Sequence, residues 1–97
     1  MENWIQQVRY LPDGSAIEAV KVSSALTPNA MTVMLVPEVL AALRLNDVFY
    51  FTARRRKPSD PLPQRGAQVM PTRDGKFITT AATDNTLDNL ENLPRFT

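Results

Sequence analysis

Ninety-seven residues, 43% hydrophobic and 22% charged, make one folded domain spanning 1–97 and leave no room for a second core. Eleven basic against ten acidic residues give a net charge of +1, so the global charge selects no partner. Cysteine and histidine are both absent, which excludes disulfides, thiolate and imidazole metal sites, cysteine nucleophiles and histidine proton relays.

The opening Met1-Glu2-Asn3-Trp4-Ile5-Gln6-Gln7 has neither a basic region nor an apolar run, so no secretory signal is read. The longest apolar stretch, 31–39, is interrupted by Thr32, Pro37 and Glu38 and falls well short of the roughly 18 residues of a membrane span. A cytoplasmic protein without membrane attachment is the expectation.

Residues 4–10 and 16–22 are β-prone runs on either side of Leu11-Pro12-Asp13-Gly14-Ser15. Proline fixes φ and glycine accepts the positive φ that closes a turn, so a β-hairpin is predicted. Ile5 and Val8 are three apart, as are Ile17 and Val20, whereas a strand with one buried face needs even spacing. Either both faces touch apolar groups or a bulge shifts the phase. Residues 23–29 read as a loop and 31–36 as a strand. Pro37 suits a first helical turn, and Val36, Val39, Leu40 and Leu43 then form one apolar face, with Asn46-Asp47 as the stop. A helix this short needs a sheet to pack on.

Residues 48–52, Val-Phe-Tyr-Phe-Thr, carry three of the seven aromatic side chains and are apolar on both strand faces, which predicts a central strand. Residues 67–70 and 77–80 flank Arg73-Asp74-Gly75-Lys76, a second Asp-Gly turn that predicts a closing hairpin. The fold class is α+β: a small antiparallel sheet of about five strands, one short helix on one face and a non-strand C-terminal strap.

Two segments fall outside this sheet. Residues 54–66 read RRRKPSDPLPQRG, a basic, proline-rich loop, and with Pro71 they hold four of the eight prolines. From 54 to 76 there are seven basic and two acidic residues, a local charge of +5 that leaves −4 for the rest. The tail, 81–97, repeats Leu87, Leu90, Leu93 and Phe96 every three residues and suits a strap or docking peptide better than a strand. As a strap, these four would cover the otherwise bare face of the sheet.

The chemistry-bearing residues argue against catalysis. Asp84, Asp88 and Glu91 share a helical face, a spacing that can hold a divalent cation, but Asp and Asn in such numbers more often close turns on their own backbone. Ser15, Ser23, Ser24, Thr79 and Thr80 have no base to activate them, Lys21, Lys57 and Lys76 sit at strand ends or turns, and three glycines cannot build a phosphate cradle. No catalytic residue, metal or cofactor is expected.

The ends of the chain carry a resemblance. Ile5-x-x-Val8-Arg9, Gly14 and Ile17-x-x-Val20-Lys21 open it, and Gly75-Lys76-Phe77-Ile78-Thr79-Thr80 and Asp88-Asn89-Leu90-Glu91-Asn92-Leu93-Pro94-Arg95-Phe96 close it. Together they resemble a small bacterial family known as domain of unknown function thirty-eight ninety-two. The D-N-L-x-x-L-P-x-F ending is the more specific half, and Thr79 departs from the family pattern, which has a basic residue there. The resemblance implies a compact one-domain bacterial protein with no known activity or cofactor.

The expected function is therefore binding. Arg54, Arg55, Arg56, Lys57, Arg65 and Arg73 are the candidates for neutralising the phosphates of nucleic acid, with Tyr50 or Phe51 of the adjoining strand as the source of stacking. The bland alternative for this segment is a solvated loop that keeps a sheet edge from pairing with other chains. The alternative function is a protein–protein adaptor or inhibitor, phage- or mobile-element-related, binding an acidic partner through the same loop or a sheet edge.

Overall fold

A computed structural model describes residues 1–45, 47–54, 64–81 and 89–97. Six strands, β1 (Glu2–Tyr10), β2 (Ile17–Ser24), β3 (Thr32–Leu35), β4 (Phe49–Arg54), β5 (Gln64–Pro71) and β6 (Ile78–Thr80), form one sheet in the order β3-β2-β1-β4-β5-β6. Among the described residues one α-helix, α1 (Val36–Leu43), follows β3 without a loop. The α+β class holds, with two corrections: the sheet has six strands rather than about five, and it is mixed rather than antiparallel. β1 and β4, at its centre, run parallel, with Trp4 opposite Phe51. The physical reason is the crossover. Helix α1 carries the chain back across the sheet, so β4 runs in the same direction as β3 and, through β2, as β1. Among the described residues no helix is long and apolar enough to cross a membrane.

The irregular apolar spacing is the signature of two bulges. Ile5 pairs with Val22 and Gln7 with Lys21, leaving Gln6 as the extra residue of β1; Arg9 pairs with Ala19 and Tyr10 with Ile17, leaving Glu18 extra in β2. Each bulge restores the phase, so Ile5, Val8, Val20 and Val22 all enter the core with Val36, Val39 and Leu40 of the helix, Tyr50 and Val69. Gln6 is buried, and its amide donates to Ser23 Oγ at 2.8 Å and to the Pro28 carbonyl, which ties the bulge to the 25–31 loop. Glu38 Oε1 accepts from the Leu35 amide at 3.0 Å, and Pro37 occupies the first helical turn, where it leaves no donor unpaired.

The two Asp-Gly loops have one geometry. Gly14 N–H donates to the Leu11 carbonyl and Gly75 N–H to that of Thr72, with φ of +74° and +72°. In the first loop the Ser15 amide, then its hydroxyl, hold the Asp13 carboxyl below the ordinary carboxylate range. In the second the Thr72 hydroxyl, then the Lys76 amide, do the same for Asp74.

The tail returns along β1. Past Ile5, where the pairing with β4 ends, the Val8 amide donates to the Pro94 carbonyl at 2.9 Å and the Phe96 amide to the Val8 carbonyl at 3.0 Å. A 3-10 turn over Leu90–Asn92 puts Leu90 and Leu93 in the buried cluster, each contributing roughly 1.5–3 kcal/mol. Leu87 lies outside the described residues. The strap therefore completes the core on the helix side. Of the described strap residues, Phe96 alone reaches the opposite face, which Leu90 and Leu93 do not cover.

Candidate functional site

Among the described residues no helix or second sheet covers the face away from α1, and its central strands place aromatic rings on it. Strand parity decides which. Tyr50 and Thr52 point into the core, so Phe49 and Phe51 point outward, and the parallel register sets Trp4 beside Phe51 and Glu2 beside Phe49. A bulge in the β4–β5 pairing sets Gly66 and Ala67 together against Thr52, so Arg65 pairs with Ala53 and reaches the same face as Phe51.

These side chains form one connected group. The Arg65 guanidinium lies over the Phe51 ring, 4.9 Å from its centroid, and donates from Nη1 to Glu2 Oε1 at 3.1 Å. The other oxygen of Glu2 accepts from Trp4 Nε1 at 2.8 Å. Arg65 remains 59% exposed in its side chain, and Phe49 is 44% exposed beside the group. Farther along the same face, Phe96 lies between two cations, 5.3 Å from the Arg9 guanidinium and 5.0 Å from Lys21 Nζ, while Arg9 also pairs with Glu18 at 2.8 Å. The face thus alternates planar rings with basic groups, an arrangement suited to flat, negatively charged ligands.

The residues singled out from the sequence are not all brought together. Arg65 is in the group. Arg73 is exposed in the β5–β6 loop, eight residues along, on the order of 25 Å away by strand rise. The stretch 54–73 is therefore not one loop, because β5 runs through it. Arg54 ends β4, and Arg55, Arg56 and Lys57 lie outside the described residues, as do Asp84 and Asp88. Tyr50 is a correction: it is 3% exposed, its hydroxyl directed at Met34 Sδ, and burial, then the Glu38 carboxylate, raise its phenol pKa. Its ring is a core ring, and Phe51 takes the outward position.

Sequence reasoning missed Trp4, Glu2 and Arg9 as members of a face. For Arg9 a signal was present in Val8-Arg9 and Val20-Lys21, each placing a basic residue just after a buried valine, whereas Glu2 and Trp4 are placed by the parallel register with β4, which no local pattern announced. A cavity of about 680 Å³ also lies between the two Asp-Gly loops and the tail, lined by Tyr10, Ile17, Thr72, Phe77, Thr79 and Glu91 among others. No lysine or arginine among the described residues lines it, so it brings no cationic side chain to an anion. Comparison with family models, curated proteins and solved structures finds no match to this chain.

Proposed function

We propose that the protein is a non-catalytic nucleic-acid-binding module that works in the cytoplasm without a cofactor. The observation that carries the reading is the placement of Arg65 over Phe51 at 4.9 Å, on the two strands that flank the basic run. The chain passes from Arg54 at the end of β4 into Arg55, Arg56 and Lys57 and returns through Gln64 and Arg65 of β5, so the densest positive charge is joined to the edge of the aromatic face. Phosphate contacts then come from the run, and the ring-bearing face supplies the remaining surface. On the motifs at the two ends of the chain we also propose membership of the bacterial family they resemble.

The test is binding of a labelled nucleic acid over a salt series, for the full chain and for a variant with Arg54, Arg55 and Arg56 all replaced by Ser. The slope of log affinity against log salt falls by about one unit for each phosphate that is no longer neutralised, while the melting temperature stays nearly unchanged. Undiminished binding by the triple variant refutes the role of the run. A second reading, a protein–protein adaptor working through a sheet edge, has its own observation. The β3 edge exposes Met31, Val33 and Leu35 at 42–49%, and no charged residue occurs from 22 to 37. It is favoured if no nucleic acid binds.

A further inference from the structure

Resting on the nucleic-acid reading, we infer that the ligand is single-stranded nucleic acid whose unstacked bases lie on the sheet face between the Trp4–Phe51–Arg65 group and Phe96. What decides is which π-surfaces a ligand can use. In a duplex the base faces are occupied by neighbouring bases, and proteins read only edges, by a helix, ribbon or side chain inserted into a groove. The face away from α1 presents strands, and its side chains offer planes instead: the Arg65 guanidinium, held by Phe51 beneath it and Glu2 beside it, and the indole of Trp4 fixed by its own bond to Glu2. A splayed base stacks on such planes, on an aromatic ring or on a guanidinium. Arg9 lies five steps beyond Trp4 along β1, about 15 Å at strand rise, and the second ring–cation cluster, Phe96 with Arg9 and Lys21, stands at that distance. Two stacking points, Arg65 paired with Glu2 at one end and Arg9 paired with Glu18 beside Lys21 at the other, define a track for a short strand.

The experiment compares an oligothymidylate of roughly ten nucleotides with a duplex of equal phosphate count, using the full chain and the variants Phe51→Leu and Arg65→Lys. Phe51→Leu keeps apolar volume without a ring. Arg65→Lys keeps the charge at an exposed position but loses the plane, so it also serves if Phe51→Leu does not fold. The expected result is tighter binding of the single strand, weakened roughly tenfold by Phe51→Leu and several-fold by Arg65→Lys, with the salt slope of both variants unchanged. Equal binding of strand and duplex with both variants silent overturns this inference and leaves nucleic-acid binding by the basic run standing. Binding of neither probe overturns both.

Discussion

Replacing Leu93 with Ala tests whether the tail is an integral part of the domain. Leu93 is 8% exposed within the cluster that holds Val8, Val20 and Leu90, so its truncation removes buried methyl groups and leaves a cavity that the sheet cannot collapse to fill. Substitutions of this kind cost about 2–5 kcal/mol, and partial exposure places Leu93 toward the lower half. For a domain of this size each kcal/mol lowers the melting temperature by about 4–8 °C, so a fall of about 10–20 °C is expected by circular dichroism. The same variant loosens the segment that pairs with β1, and the amide protons of Val8 and Phe96 should exchange faster than in the parent. Phe96→Ala is the control: its ring is half-buried over two surface cations, and about 1 kcal/mol is expected. A Leu93→Ala protein melting within two or three degrees of the parent, below about 0.5 kcal/mol, would show that the tail is not held in the core.

Gly14→Ala and Gly75→Ala should cost about the same, roughly 1–2 kcal/mol each, because both glycines sit at nearly equal positive φ and an added Cβ meets nothing within 4 Å at either; melting curves that differ by more than a few degrees would refute the equivalence of the two loops. Glu2→Gln keeps an acceptor for Trp4 and removes a negative charge from the proposed track, so nucleic-acid affinity should rise by up to about fivefold with stability within about 0.5 kcal/mol, and an unchanged affinity would mean that phosphates do not pass near Glu2. Because the folded-state pKa values of Asp13 and Asp74 are lowered, the stability these loops gain is present above the ordinary carboxylate range and disappears as pH falls through and below it; Asp13→Ala and Asp74→Ala should flatten acid unfolding curves in that window.

What was legible in the sequence is what local chemistry decides. Pro12-Asp13-Gly14 and Asp74-Gly75 encode their loops because a positive φ beside a short acceptor has few other uses. The three-residue spacing of Ile5 and Val8 already contained the bulge as one of two readings. Parallel pairing of β1 with β4 was not legible, because it depends on where the crossover lands, 45 or more residues along the chain. That one pairing is what sets Trp4 beside Phe51, and without it a strand apolar on both faces reads as buried on both.

The tail shows the same division. Its periodicity marked a strap, but which face it serves follows from the edge of β1 left free beyond Ile5. Arg9, Lys21 and Phe96, from the motifs at the two ends of the chain, meet there, and Val8 bonds the backbone on both sides of Arg95. Those motifs thus form a structural clasp.

Trp4 is the chain's single tryptophan and stands in the proposed contact, so its fluorescence reports on the central claim directly. Titration of the protein with single-stranded oligothymidylate should quench or shift the Trp4 emission and saturate at the same concentration as the anisotropy of the labelled strand. An anisotropy change that saturates while Trp4 emission stays constant would place the strand elsewhere and contradict the account.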